Sequence, residues 1–319
     1  FELYRASRTG REEFVRGISN EFPFESFMDL AMKYYSYGDI ETALEVLKLS
    51  PEQMIVSLWI AYLGNKTENL DDILGSSEAS VFPHRVETAA MLRDLIKVND
   101  SWLLKYYLGL IYWNKGLVKE AKELFDLCGE DPGKYWFWLA RAKLFNDESI
   151  KEEALNKAYK IEPDNWRTVV ELSSLLVDKG MASKAVQLCS ALEPATSENT
   201  RLGLTYARAL YRDKQFKECL VFLEEFVILP YEGSVDGKKI YTEVCNRLAV
   251  EELNKKHYRL ALSFAEKAKR WPLNLGVGKP YDVDERLEDF IIALAGEKRN
   301  KKPDYSRVSS VSYTHLRAH

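Results

Sequence analysis

The sequence predicts an all-α protein, a right-handed α-solenoid of short helical hairpins closed by a C-terminal capping helix. Three observations carry that expectation. A pattern recurs at about 34 residues, a period typical of stacked helical repeats: Leu172, Ser173, Leu176, Gly180 and Ala185 align with Tyr206, Ala207, Leu210, Lys214 and Cys219. Small residues (Gly109, Ala121, Ala185, Ala207, Ala249) stand where two helices would touch and a larger side chain would force them apart. Pro132, Pro163, Pro194, Pro230 and Pro272 follow successive units, where a residue that cannot continue a helix marks the end of a hairpin.

Residues 1–100 read as N-terminal hairpins with partly degenerate repeats. A leading helix and a first hairpin occupy residues 11–50, with Phe27, Leu30, Ala31 and Tyr34 on one apolar face and Gly38, Ala43 and Leu47 completing the copy. Met54, Ile55, Leu58 and Tyr62 predict another helix, Leu70, Ile73 and Leu74 a shorter one, and Val86, Ala90, Leu92 and Ile96 a third after the Phe82-Pro83 break. Residues 101–272 form the regular array. Leu108, Gly109, Tyr112, Gly116, Ala121 and Phe125 make one copy, and Leu248, Ala249, Tyr258, Ala261, Ala265 and Ala268 another. The array is interrupted at residues 228–237, where Pro230, Gly233, Asp236 and Gly237 favour a loop. Residues 273–300 read as a turn and a capping helix bearing Leu287, Phe290, Ile291 and Leu294, and residues 301–319 as a disordered tail. The last ten, SVSYTHLRAH, lack helical period and resemble translated adapter sequence.

The physical logic is shared burial. One pair of short amphipathic helices cannot cover its own apolar stripe, so each pair stacks on the next and the core runs through the array. A chain of 319 residues that is 46% hydrophobic and 29% charged has the material for such a core. Its formal charge of −4 supplies no overall attraction to nucleic acid or anionic membranes. No apolar run approaches the roughly 20 residues that span a bilayer, so no membrane insertion is expected. Cys128, Cys189, Cys219 and Cys245 are isolated at apolar repeat positions and read as small buried hydrophobes, not as zinc ligands or disulfides. The expected setting is soluble, with the cytoplasm favoured, although a first residue of Phe1 leaves room for an upstream segment or signal peptide.

A large residue followed by a small one, a glycine or polar turn, an alanine in the second helix and a proline after it together resemble the tetratricopeptide repeat. Three strings resemble something narrower: VFPHRVET at 81–88, SWLLKYYLGLIYWNKGLVKEAKELFDLCGEDP at 101–132 and RWPLNLGVGKPYDVDERLEDF at 270–290. They look like the C-terminal repeat array of a bacterial, often gut-associated family whose upstream region is a β-sandwich of the galactose-mutarotase type. That resemblance implies the repeat half of a longer, carbohydrate-associated protein whose sugar chemistry would lie outside these residues.

Nothing in the chain assembles a catalytic constellation. Apart from the tail, His84 and His257 are the available histidines and stand in no triad or metal spacing. GVGKP at 276–280 lacks the first glycine of a phosphate loop, where Leu273 stands, and has Pro280 in place of its Ser or Thr. GSVDGKK at 233–239 fails similarly. DVDER at 282–286 lacks the ligand pattern of a calcium loop and reads as the acidic first turn of the last helix. No enzyme, cofactor or metal is expected.

Binding is the better-supported reading. The resemblance implies that the first helices of successive repeats line a concave groove, and that face carries Arg167, Arg201, Arg208, Tyr211 and Arg212. Arg201, Arg208 and Arg212 follow i, i+7 and i+11 and share one helical face. Guanidinium groups grip carboxylates bidentately, so an acidic protein or peptide, or an acidic surface of an upstream domain, is the expected partner. The plainer reading is a solvated basic stripe paired with neighbouring acids. A chaperone-tail clamp needs asparagines where this chain has Met32, Leu110, Ser174, Arg208 and Val250, which argues against that ligand. Tyr106, Leu110 and Trp113 share a face that the repeat geometry would aim into the groove as an apolar or glycan-stacking surface. The two functional expectations are therefore a non-catalytic scaffold for protein or inter-domain contacts, and an accessory region of a carbohydrate-active or carbohydrate-binding protein.

Overall fold

The computed structural model describes residues 8–75, 82–130, 132–230 and 235–298, and among them all regular structure is helical. The predicted all-α architecture of repeated helical hairpins is what forms. Two compact units divide the chain, Phe1–Ala154 and Leu155–His319.

The first unit contains α1 (Arg8–Gly17), α2 (Pro23–Ser36), α3 (Ile40–Lys48), α4 (Met54–Leu63), α5 (Leu70–Gly75), α6 (Val86–Val98), α7 (Trp102–Asn114), α8 (Val118–Asp126) and α9 (Tyr135–Leu144). Helix α2 begins with Pro23, whose missing N–H costs nothing in a first turn. The Asp39 side chain accepts from Thr42 N and starts α3, and Ser101 does the same for α7 through Leu103 N. Ala43 and Ala121 are wholly buried where the second helix of each hairpin meets the first. Helix α4 is apolar nearly all round because α3, α5 and α6 cover it, and its Trp59 indole donates a 3.1 Å hydrogen bond to buried Thr88 on α6. Helix α6 packs directly on α7.

Helix α10 (Glu148–Ile161) contains the division between the units. The second unit continues with α11 (Trp166–Asp178), α12 (Ala182–Ser190), α13 (Ala195–Glu198), α14 (Thr200–Arg212), α15 (Phe216–Glu225), α16 (Asp236–Asn254), α17 (Tyr258–Ala268) and α18 (Arg286–Glu297). Hairpins α11/α12, α14/α15 and α16/α17 stack so that the first helices α11, α14 and α16 lie side by side. Ala185, Ala207 and Ala249 are fully buried, as the small-residue pattern predicts. The turn inside these hairpins is left-handed in each case, at Gly180 (φ 75°), Lys214 (φ 62°) and Lys256 (φ 65°). A polar residue can therefore replace glycine at this step, at a steric cost of about 1 kcal/mol.

Helix α18 covers α17 and part of α16 as the predicted cap, with Ile291 buried against Ala249 and Ala265. Lys269 Nζ lies 3.2 Å from Glu285 and 2.7 Å from Asp289, and Asn246 donates to Glu288 at 2.7 Å. DVDER does not form the first turn of this helix. The helix starts at Arg286, Asp284 accepts from the Arg286 backbone and side chain, and the first-turn acids are Glu288 and Asp289. The expected tail at 301–319 lies outside the described residues, as do positions 231–234 of the expected loop.

Candidate functional site

The side-by-side helices α11, α14 and α16 present a polar line each. On α11 it runs through Arg167, Glu171, Ser174 and Asp178, and on α14 through Arg201, Arg208 and Arg212. On α16 it runs through Lys239, Glu243 and Arg247. The opposite faces supply the core: Val169, Leu172 and Leu176 from α11, Leu202, Ala207 and Leu210 from α14, and Val244, Cys245 and Leu248 from α16. Asn165 and Asn199 fix where α11 and α14 begin, Asn165 accepting from Thr168 N and Asn199 from Arg201 N and Leu202 N.

Links between the lines show that they belong to one face. Arg201 donates to Glu171 on α11 at 3.2 Å, and Arg208 to Asp236 on α16 at 2.8 Å. The Arg247 guanidinium donates to the Tyr211 hydroxyl at 3.4 Å, while the Tyr211 ring packs on Phe216. Arg201, Arg208 and Arg212 thus share the exposed line of α14, with the first two engaged by acids on neighbouring helices, while Tyr211 turns to Phe216 and Arg247. Exposed pairs of this kind contribute about 0–1 kcal/mol, which leaves them open to exchange for a better ligand. Arg212 is exposed and Arg167 stacks over its neighbour Trp166 at 4.5 Å; neither has a hydrogen-bonded carboxylate among the described residues, while Arg247 has Glu243 beside it on α16. Sequence reasoning missed Glu171, Asp236 and Arg247. The usable signal was distance along the chain, since the two acids lie 30 and 28 residues from their arginines, close to one repeat.

The aromatic part of the expected groove is corrected. Tyr106 is 1% exposed, its ring centroid 5.3 Å from Phe125, 5.0 Å from Trp136 and 5.6 Å from Phe137. Residues of α8 and α9 cover the side of α7 that the repeat geometry would leave open, and burial pushes the Tyr106 hydroxyl pKa up. Leu110 is buried with it, and Trp113 is half-buried. Neither Tyr106 nor Leu110 can offer a surface to a ligand.

All four cysteines are free and buried, and burial pushes the Cys128, Cys219 and Cys245 thiols up to about 12, which keeps them protonated and unreactive at neutral pH. No group of three or more His, Cys, Asp or Glu residues is placed to hold a metal ion among the described residues. No described helix is long and apolar enough to cross a membrane. His257 stands before α17 with its Nδ1 2.7 Å from Glu252, which makes it a helix-end histidine.

Fold and face together define a helical-repeat protein with a charged face along its adjoining first helices, wholly basic on α14 and mixed on α11 and α16. Among solved structures the chain is similar to a tetratricopeptide repeat protein from Parabacteroides merdae ATCC 43184, at 12% identity over 85% of this chain and 98% of that one, with a TM-score of 0.38. It is also similar to the TPR domain of P58(IPK), at 14% identity over 94% and 96% with a TM-score of 0.32, and to yeast Tom70, at 16% over 99% and 62% with a TM-score of 0.34. With every TM-score below 0.5, these similarities identify no ligand for this chain. No family model and no curated protein matches it.

Proposed function

We propose that the chain is a non-catalytic helical-repeat scaffold that holds an acidic peptide or acidic protein surface along α11, α14 and α16. The observation that carries this reading is the surplus of cations on that face, where Arg167, Arg201, Arg208, Arg212, Lys239 and Arg247 stand against Glu171, Asp178, Asp236 and Glu243. Arg201 and Arg208 are already matched by Glu171 and Asp236 and Arg247 lies beside Glu243, while Arg167 and Arg212 have no hydrogen-bonded carboxylate among the described residues. An incoming carboxylate gains bidentate contact with Arg167 and Arg212 without first breaking an ion pair. An acidic domain elsewhere in a longer protein would use the same cations. Glycan stacking has weaker support, because the Tyr106 ring is enclosed.

The test is fluorescence anisotropy with a labelled oligoglutamate peptide and an oligolysine control. Binding of the acidic peptide, weakened by added salt and lost in the triple variant Arg167→Ala, Arg212→Ala, Arg247→Ala, is the expected result. Unchanged binding by the triple variant, or equal binding of oligolysine, overturns the assignment.

A further inference from the structure

We infer that the first unit carries a separate binding site for an organic cation on an apolar stem, in a cleft between the start of α2 and the segment leading into α6. It does not rest on the basic face of the second unit, and it selects the opposite charge.

The cleft has a volume of about 720 Å³, within the range of sites that enclose small ligands or a short peptide segment. Phe22, Phe24 and Phe82 line it, with Met28 buried beneath. Phe22 is 57% and Phe82 64% exposed, an unusual position for two phenylalanines lining one cavity. Phe22 meets Phe24 edge-on at 6.5 Å, and more than half of the Phe22 and Phe82 side chains remains uncovered.

The polar side of the same cleft is Arg85 between two carboxylates. Its guanidinium bonds Glu25 and lies 2.6 Å from Asp29, and both acids belong to α2. Two carboxylates around one guanidinium leave this cluster with a net negative charge, and His84 is the one other titratable side chain lining the cleft among the described residues. The Asp29 side chain is 64% exposed while that of Arg85 is 18% exposed, so the surplus charge is presented outward and the cation is held inside. Arg85 is fixed by its two partners and positions Asp29 from behind. Exposed aromatic faces and an outward carboxylate attract the same chemical class: ring quadrupoles favour a cation close to the ring, and the carboxylate accepts its N–H groups. An anion would meet Asp29 before it reached Arg85. The chemistry fits a protonated amine or guanidinium with hydrocarbon attached, either the lysine or arginine side chain of a polypeptide or a free alkylamine.

Calorimetric titration of the full chain with two probes separates these sources: hexylamine and the peptide acetyl-Leu-Lys-Leu-amide, with hexanol and hexanoate as controls. Saturable binding of at least one cationic probe, with neither control binding comparably, is expected. Asp29→Asn should weaken binding about tenfold, the worth of one charge-assisted hydrogen bond, and Phe82→Ser several-fold. Both side chains are largely exposed, so circular dichroism and the urea midpoint of each variant should match the parent and keep the comparison valid. Tighter binding of the peptide assigns a polypeptide ligand, and tighter binding of hexylamine a free amine. The inference is overturned if neither cation binds, if hexanoate binds as tightly, or if both variants bind like the parent.

Discussion

The ring of Phe125 occupies the space that a side chain on Gly109 would need: a Cβ there would lie 2.8 Å from Phe125 Cδ2 and 2.9 Å from Cε2. This contact sets how closely α7 and α8 approach, and Phe125 is itself wholly buried. Gly109→Ala should therefore destabilise the protein although alanine is the better helix former by about 1 kcal/mol. Overpacking costs about 1–3 kcal/mol. A lower urea midpoint than the parent confirms this expectation, and a higher one shows that Phe125 moves aside freely.

Thr88→Val tests the polar contact inside the first unit. Valine has nearly the shape of threonine but leaves the Trp59 indole N–H without its partner at a site where Thr88 is 1% exposed. The expected loss is about 1–3 kcal/mol of unfolding free energy in urea titration. No change would mean that the indole finds another acceptor.

Stability should decline above pH 8.5. Cys128, Cys219 and Cys245 have folded pKa values raised to about 12, against about 8.5 in an unfolded chain, so the unfolded state loses these protons first. The stability they contribute is complete below the unfolded pKa and is lost as pH rises toward the folded one, by roughly 1 kcal/mol per thiol between pH 8.5 and 9.5. Lys238 acts in the opposite sense. Burial lowers its pKa to about 8, so the unfolded state holds the extra proton between pH 8 and about 10.4 and stability rises with pH there. Lys238→Met should steepen the alkaline decline, as read from urea midpoints at pH 7.5 and 9.5. An equal or shallower decline would contradict the assignment.

Ile291→Ala should loosen the cap. Ile291 is 2% exposed against Ala249 and Ala265, and removing its side chain opens a cavity at the end of the stack, costing about 2 kcal/mol or more. Increased binding of an apolar dye at low urea, before the main unfolding transition, is the expected signature. A single unshifted transition with no dye binding would show that α18 is not needed to seal the core.

Much of the fold was legible because its cause is local. Helical periodicity and the recurrence of small residues place Ala121, Ala185, Ala207 and Ala249 at helix contacts, and the same periodicity puts all four cysteines inside. The basic line of α14 was legible for the same reason, since residues i, i+7 and i+11 share a face whatever surrounds the helix. Its partners were not read. Glu171 and Asp236 come from other helices, and only the stacking distance between repeats decides that they reach Arg201 and Arg208.

Tyr106 marks the limit most clearly. Spacing along α7 states which side chains travel with it, but whether that face meets solvent depends on Phe125, Trp136 and Phe137, contributed by α8 and α9. The cleft of the first unit is a stronger case, because Arg85 meets Asp29 and Glu25 across 56 and 60 residues and no short-range pattern encodes the meeting. The sequence alone determined the repeated helical hairpin and the inward side of most helices, since both follow from backbone geometry and apolar period. Tertiary structure decided which outward charges are spent on one another and which aromatic rings remain uncovered, since those outcomes depend on distances between helices that are far apart in the chain.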